Sequence, residues 1–268
     1  MPELPELEVI AIRLSERLAG KRVKSVSVHN GIVIHAITPN EFVEEITDTC
    51  LLSCSVDGKF VLLNLTDNKT IVINPMLAGR FRIEDSQRKV LKRDIFVLQF
   101  KRDRLLYNDS KRMSRVYLVL DDDFSIVKGF KGRGPSALAE GLTEGTFIHR
   151  IKKFRGQIKN VLTNQRFITG IGNAYADEIL LYAGILPFRQ RATLSVAETI
   201  TLYEAIRKVL SRYQGMMLKK TLHELATERR DFLMIHGKGG SICPLCGGRI
   251  SEVTANRFKT NYCQTCQK

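Results

Sequence analysis

Hydrophobic periodicity divides the chain into two parts. Apolar residues recur at helical spacing from residue 3 to residue 18, and Gly20 closes this segment. From residue 22 to about residue 127, short runs rich in β-branched residues alternate with turn residues such as Asp57-Gly58. This pattern predicts an N-terminal helix packed on an antiparallel β-sandwich or barrel, within an α+β fold.

The pattern becomes helical after the glycine-rich stretch 129–141. Thr143 is a candidate N-cap for the first helix there, and a long helix is predicted from Ser195. Four of the six cysteines lie at the C-terminal end. The predicted divisions are a β-sandwich domain over 1–130, a linker over 131–141, a helical domain over 142–236 and a cysteine hairpin over 237–268.

Charge points to the kind of partner. The 268 residues carry a formal net charge of +14 at pH 7, and such an excess is typical of proteins that bind a polyanion, most often nucleic acid. A basic surface that only maintains solubility is the alternative. No apolar run reaches membrane-spanning length, and no basic segment followed by an apolar one opens the chain. We therefore expect a cytoplasmic protein.

The strongest local signal is a pair of Cys-x-x-Cys motifs, Cys243–Cys246 and Cys263–Cys266. Four thiolates at this spacing predict one tetrahedral zinc ion. A filled ligand shell leaves no position for a catalytic water, so the zinc is expected to be structural. A redox dithiol is the alternative for each motif taken singly. Cys50 and Cys54 lie in a strand-like run and are interpreted as small buried apolar residues.

Three further segments carry basic or phosphate-binding potential. Residues 165–178 are predicted to form a helix, a glycine turn and a second helix that starts near Asn173. This arrangement is typical of a phosphate-binding site and also of an ordinary joint between two helices. Lys59 follows Gly58 in a predicted hairpin turn. Residues 101–115 hold six basic side chains, as expected of a loop along DNA or of a solvated sheet edge.

The chain opens with Met-Pro-Glu-Leu-Pro-Glu. Proline is small, so Met1 is expected to be removed, which leaves Pro2 as a free secondary amine beside Glu3. The plain interpretation is a helix start, because proline and glutamate both suit the first turn.

These motifs occur together and in order: PELPE, Gly58-Lys59, NQRFITGIGNAYADEIL and the four cysteines. The combination resembles the formamidopyrimidine-DNA glycosylase / endonuclease VIII family, and the resemblance runs nearly end to end. It implies a β-sandwich, a helix–two-turn–helix module and a zinc finger, with double-stranded DNA held between the domains. It further implies a monomeric bacterial-type enzyme that removes a damaged base and cuts the strand.

The resemblance also implies roles for individual residues. Pro2 matches the nucleophile, Glu3 the acid/base carboxylate, Glu6 a supporting position and Lys59 a lysine that contacts phosphate. The expected DNA-binding residues are Asn173, Leu77, Lys111, Met113, Lys159, Arg257 and Lys259.

Several positions depart from the family pattern. Leu77 stands where a wedge methionine is expected, with Met76 beside it, and Lys111 and Met113 occupy the loop that usually carries arginine and phenylalanine. Phe258 stands at an expected finger arginine, so that Arg257 or Lys259 would have to replace it. The segment 231–236 is short for a lesion-capping loop.

These departures favour oxidised pyrimidines over 8-oxoguanine as substrates. They leave open a protein of the same fold that binds damaged DNA without cutting it. A zinc-ribbon RNA-binding protein would explain the charge and the cysteines but not the N-terminal motif.

Overall fold

The computed structural model describes residues 2–85, 94–227, 230–255 and 258–268. Its α-helices are α1 Leu4–Leu18, α2 Pro39–Ile46, α3 Glu144–Ile151, α4 Ile158–Thr163, α5 Asn173–Ala183, α6 Val196–Met217 and α7 Leu222–Leu225. Its strands are β1 Lys21–Arg22, β2 Ser25–Val28, β3 Ile34–His35, β4 Cys50–Asp57, β5 Phe60–Leu65, β6 Lys69–Asn74, β7 Gly79–Asp85, β8 Asp94–Gln99, β9 Asp103–Asp109, β10 Arg115–Leu120, β11 Ser251–Ala255 and β12 Phe258–Tyr262.

The described residues form two compact units. The first combines residues 1–132 with 216–228, and the second combines 133–215 with 229–268. The last two residues of α6 and all of α7 therefore belong to the first unit, where Leu222 and Leu225 pack against its core. No helix among the described residues is both long and apolar enough to cross a membrane.

The first unit is a two-sheet sandwich, as the alternating runs predict. One sheet has the order β1-β4-β5-β6-β10-β3 and the other the order β2-β8-β9-β7. The pairings are antiparallel except for β10 with β3, which is parallel. Helix α1 packs against β4 and β5, and its buried face joins the sandwich core through Leu7, Leu14 and Leu18. The predicted helix-on-sandwich arrangement is confirmed.

Two elements of the first unit were not anticipated. Helix α2 begins with a capping box in which Thr38 and Glu41 each accept a hydrogen bond from the other's backbone N–H. Strand β7 is the second such element. Charged residues alternate with its apolar ones, so its sequence contains no run of apolar residues. Cys50 and Cys54 were both predicted to be buried, and both are half-buried. Burial raises the pKa of the Cys54 thiol to about 12, and the hydrogen bond with Ser15 offsets part of that rise.

The second unit contains α3 to α5, most of α6 and the β11–β12 hairpin. Thr143 caps α3 as predicted, because its hydroxyl accepts the N–H of Thr146 at 3.3 Å. The long helix begins at Val196, directly after the predicted start at Ser195. Helix α5 ends at Ala183, and the next residue, Gly184, caps it in the left-handed conformation with a φ of +69°.

Two loops connect the sheets of the sandwich at one end. Residues 75–78 lead from β6 to β7, and residues 110–114 lead from β9 back to β10. Their ends are paired on both sides, because Asn74 is opposite Arg115 in one sheet and Gly79 is opposite Asp109 in the other. The two loops therefore run side by side.

Gly79 permits this close approach, and its substitution tests the packing of the paired loops. An added Cβ would lie 2.2 Å from the Tyr107 hydroxyl and 2.6 Å from the Pro75 carbonyl oxygen. We expect Gly79→Ala to lower the free energy of unfolding by about 1–3 kcal/mol, as overpacking does. Gly145→Ala, where a Cβ meets open space within α3, should be neutral or stabilising by up to about 1 kcal/mol. Urea titration followed by circular dichroism measures both, and equal curves would contradict the account.

Candidate active site and metal centre

The start of helix α1 positions the predicted catalytic residues. Glu3 is the N-cap residue and is only 3% exposed. Its backbone N–H donates to the Glu6 carboxylate at 3.0 Å, and its carbonyl accepts the N–H of Leu7 at 3.0 Å. The half-buried Pro2 directly precedes this fixed turn. Glu6 therefore fixes the backbone of Glu3, and with it the position of the adjacent Pro2.

Lys59 lies in the turn between β4 and β5. Gly58 takes a φ of +64°, which allows the chain to reverse within two residues. Burial lowers the pKa of the half-buried Lys59 ammonium, and the negative charge of Glu3 partly offsets this effect. An electrostatic interaction of this kind requires proximity. The structure thus brings Lys59 together with the start of α1.

The two paired loops carry Leu77, the predicted wedge residue, and two further residues predicted to contact DNA, Lys111 and Met113. Leu77 is 40% exposed and Met113 is 43% exposed, and they lie in neighbouring loops at the same end of the sandwich. Lys111 is also exposed. Met76 takes a φ of +49° in the left-handed region, and its N–H donates to the Asn74 side chain at 3.2 Å.

Asn173 is the first residue of α5, at the glycine turn predicted from the sequence. The Gln165 side chain holds this turn: its amide donates to the Ile171 carbonyl at 2.9 Å, and its oxygen accepts the Gly170 N–H at 3.2 Å. The Asn173 amide donates to the carbonyl of Lys259 at 2.8 Å. The helix start and the β11–β12 hairpin are therefore in contact.

Lys159 is placed differently from the prediction. The residue is 6% exposed, and its ammonium lies 2.6 Å from the Asp177 carboxylate and 2.8 Å from the Thr260 hydroxyl. A side chain enclosed in this way does not present its charge to a DNA backbone. Lys159 instead connects α4 to the cysteine hairpin.

Two buried carboxylates that sequence reasoning missed hold this region together. Asp177 accepts the backbone N–H of Asn261 at 3.1 Å and contacts the His236 ring nitrogen at 2.7 Å. Glu178 accepts the backbone N–H groups of residues 234, 235 and 236 at 2.9–3.0 Å, and the Tyr213 hydroxyl. The adjacent Asp-Glu pair was visible in the sequence, but its burial was not.

The four C-terminal cysteines converge. All four Sγ atoms lie within 4.8 Å of one another, with 3.9 Å between Cys243 and Cys266 and 3.5 Å between Cys246 and Cys263. A tetrahedral shell with metal–sulfur bonds of about 2.3 Å has sulfur–sulfur edges near 3.8 Å, so the cluster fits a metal ion. Cys243 and Cys263 are buried with Leu181 of α5.

The hairpin residues predicted to contact DNA differ in their surroundings. Lys259 is exposed, but its ammonium lies 2.8 Å from the Glu252 carboxylate on the adjacent strand. Phe258, which stands at the expected arginine position, is 64% exposed. Arg257 lies outside the described residues.

Comparisons with known proteins agree with this architecture. Residues 1–116 match the model of the formamidopyrimidine-DNA glycosylase N-terminal domain, and residues 133–222 match that of the formamidopyrimidine-DNA glycosylase H2TH domain. The chain is 31% identical to the formamidopyrimidine-DNA glycosylase of Pelotomaculum thermopropionicum, over 100% of this chain and 99% of that protein. It is 30% identical to the Listeria innocua protein of the same name, over 100% of both.

Solved structures show the same fold. The Lactococcus lactis Fpg in complex with DNA containing an abasic site superposes with a TM-score of 0.89, at 24% identity and 99% coverage of both chains. A second structure of the Lactococcus lactis enzyme, non-covalently bound to DNA containing an AP site, gives a TM-score of 0.88 at 23% identity and 99% coverage of both chains.

Metal content tests the cysteine cluster. We expect about one metal ion per chain in the purified protein, because four thiolates complete a tetrahedral shell. Cys246→Ser should remove most of the metal and loosen the β11–β12 hairpin. Cys54→Ser is the matched control, since Cys54 lies in strand β4 of the other unit. Elemental analysis of the three proteins decides; metal retained in full by Cys246→Ser would contradict the assignment.

The contact between Glu6 and Glu3 yields a second prediction. Glu6→Ala leaves the Glu3 N–H without this acceptor and should cost about 0.5–2 kcal/mol of stability, as loss of a helix cap does. Glu6→Gln keeps a carbonyl acceptor of the same length and should retain most of the stability. Thermal unfolding of both variants measures the difference. Equal melting temperatures for the two would show that the contact does not fix the helix start.

Proposed function

The chain belongs to the formamidopyrimidine-DNA glycosylase family, and from this membership we propose that it is a DNA repair enzyme that excises an oxidised base and cuts the strand. The observation that carries the proposal is the start of α1, where Pro2 precedes the buried Glu3 and Lys59 lies nearby. The solved relatives hold DNA with an abasic site. The net charge of +14 supports the same partner here.

Pro2 acts as the nucleophile once Met1 has been removed. The pKa of an α-amine is about 7.7–8.0, so a sizeable fraction of such an amine is neutral at cellular pH. Its lone pair attacks C1′ of the damaged nucleotide, and the bond from C1′ to the base breaks with its electrons leaving on the base. The Pro2 nitrogen then loses its proton, and its lone pair forms the C=N bond as the C1′–O4′ bond breaks. The electrons of that bond go to O4′, which takes a proton from Glu3, so the product is an iminium linkage between the Pro2 nitrogen and the opened sugar.

Strand cleavage follows from the charge on that linkage. The iminium acidifies the C2′ proton, and its removal expels the 3′ phosphate by β-elimination. Glu3 supplies the carboxylate that moves protons to and from the sugar, because Glu3 directly follows Pro2 in the chain. Water then hydrolyses the iminium and restores the amine.

Lys59 holds the phosphate near the scissile nucleotide. A partly buried ammonium strengthens its interaction with an anion, because less water screens the charge. Burial lowers the pKa of Lys59, and the negative charge of Glu3 partly offsets this by favouring the charged form that contact with phosphate requires. In the second unit, Asn173 and the N-terminus of α5 are proposed to contact a DNA phosphate.

The metal is proposed to be zinc, held by Cys243, Cys246, Cys263 and Cys266. Four thiolate ligands suit this soft-ligand site, and a shell filled by protein leaves no open position for substrate. When bound, the ion contributes folding free energy and no chemistry. Its role here is to stabilise the hairpin that carries Lys259.

Two lesion classes remain for the substrate. The names of the relatives point to formamidopyrimidine bases, whereas the short segment 231–236 and the altered loop 110–114 favour oxidised pyrimidines. The altered wedge positions also favour a second candidate, a protein that binds damaged DNA without cutting it. Catalytic assays separate these possibilities.

Borohydride trapping tests the enzyme directly. The protein is incubated with duplexes that contain an abasic site, a formamidopyrimidine, a dihydropyrimidine or 8-oxoguanine. We expect a covalent adduct and strand cleavage on the abasic duplex, and a large decrease in the rates of both in Pro2→Gly. A glycine amine is still a nucleophile, but it is a primary amine. The criterion is therefore that trapping and cleavage by Pro2→Gly are at least about tenfold slower than by the unmodified chain.

The control is Pro5→Gly, which changes a proline of α1 that has no free amine. It should retain trapping once its lower stability is allowed for. Tight binding of the abasic duplex without any adduct, in protein with Met1 removed, would establish the non-catalytic binding protein instead.

A further inference from the structure

Six cationic side chains surround the turn between β8 and β9, at the end of the sandwich away from the paired loops. All belong to the first unit, and all are exposed except one, which is half-buried. These residues form the distal basic surface: Arg17 of α1, Lys21 and Arg22 of β1, Lys24 before β2, and Lys101 and Arg102 of the turn.

Contacts around the turn bring these residues together. The backbone N–H of Lys24 donates to the carbonyl of Gln99, the last residue of β8, at 2.7 Å. The Gln99 amide donates to the carbonyl of Asp103, the first residue of β9, at 3.3 Å. The Asp103 carboxylate in turn lies 2.7 Å from the Arg17 guanidinium and 2.7 Å from the Lys21 ammonium. Segments more than 70 residues apart in the sequence therefore present their charges on one surface.

A buried carboxylate fixes two of the cations. Asp103 and Asp109, at the two ends of β9, are both buried. Burial alone would raise the pKa of the Asp103 carboxyl, but the hydrogen bonds and charges of Lys21 and Arg17 hold it below its usual value. Asp103 is therefore an anion at neutral pH, and it holds both cations at the edge of the sheet.

The distal basic surface carries more positive than negative charge. Asp103 and Asp48 pair with three of its six cations, which leaves an excess of four positive charges. The apolar side chains of the same segments, Val23 and Phe100, are buried. Protein–protein interfaces have an apolar centre from which charged residues are depleted, whereas exposed arginine and lysine suit phosphate. The surface therefore fits a polyanion better than it fits a protein.

Distance separates this surface from the proposed catalytic site. Leu4 and Arg17 lie near the two ends of α1, and a rise of about 1.5 Å per residue puts them about 20 Å apart. Strand β9 spans a similar distance of about 20 Å from Asp103 to Asp109, which adjoins the paired loops. The Debye length at physiological ionic strength is about 8 Å. These charges therefore contribute little to holding DNA at the start of α1.

We propose that the distal basic surface binds the phosphates of a second DNA duplex, so that the protein passes directly from one DNA segment to another. Contacts to phosphate need no particular base sequence, because the release of counterions drives them. A second duplex held at this surface is also at a high effective concentration for the start of α1. The inference goes beyond the proposed catalysis but rests on the proposed binding of DNA at α1.

Two double variants separate the position of the charge from its amount. Lys24→Glu combined with Lys101→Glu reverses two exposed charges of the distal basic surface. Lys152→Glu combined with Lys208→Glu makes the same substitutions at two exposed lysines of the second unit. The two proteins have equal net charge, so a difference between them reports where the charge was removed.

The measurement is the release of a fluorescent duplex that contains a tetrahydrofuran abasic analogue. Release is followed by stopped flow while unlabelled, undamaged duplex is added at increasing concentration. Dissociation alone gives a rate that does not depend on this competitor, whereas direct transfer makes the rate rise with its concentration.

We expect such a rise for the unmodified chain and for the control variant. In Lys24→Glu/Lys101→Glu the slope of the rise should be lower by about threefold or more, because phosphate contacts are lost. Lys24→Gln combined with Lys101→Gln removes the charges without adding acids and should give an intermediate slope. Single-turnover cleavage of an abasic duplex should stay within about twofold of the unmodified chain in all variants, because the charges are screened from the site.

The outcomes separate the inference from the proposed function. Failure of the unmodified chain to bind an abasic duplex would overturn both. Normal binding and cleavage with a release rate that ignores the competitor would overturn the second duplex site alone. Equal slopes in the two glutamate variants would also overturn it, and would leave the surface to solvent or to an acidic protein. If Lys24→Glu/Lys101→Glu does not fold, the glutamine variant decides, and an unchanged slope there would refute the proposal.

Discussion

The packing of helix α1 on the β4–β5 hairpin is the constraint on which the rest of the site depends. Leu7, Leu14 and Leu18 of this helix are fully buried in the sandwich core, and burial of one such side chain contributes about 1.5–3 kcal/mol. The helix therefore cannot shift along the sheet without exposing its apolar face. Its first turn is fixed as a consequence, and with it Pro2 and Glu3. The turn that carries Lys59 belongs to the same hairpin, which explains why Glu3 and Lys59 interact.

The regular elements were predictable because their patterns are local. The β-branched runs predicted most strands of the sandwich, and the apolar spacing predicted α1, α3 and α6. Helix α2 was missed because only Phe42 and Ile46 are buried in it, too few to show a period. Strand β7 was missed because arginine and acidic residues alternate with its apolar ones. The cysteine cluster was predictable because metal-ligand spacing is itself a sequence pattern.

The buried carboxylates could not be predicted in the same way. Asp109, Asp177 and Glu178 look like surface residues in the sequence, since charged side chains are rarely buried without partners. The partners of Asp177 lie as far as 84 residues away, and no local pattern reports such a separation. Lys159 illustrates the same limit, because a lysine on a short helix suggests a solvent-facing charge until its buried partner is known. In each case the decisive property is burial with satisfied hydrogen bonds, which the fold creates.

The central claim is that the amine of Pro2, and not that of Lys59, forms the covalent bond with the sugar. Peptide mapping of the borohydride-reduced adduct by tandem mass spectrometry tests it most directly, because the two amines lie in different peptides. The account predicts the sugar remnant on an N-terminal peptide that begins at Pro2 and has lost Met1. A remnant on the peptide that contains Lys59, or an adduct on protein that still carries Met1, would contradict it.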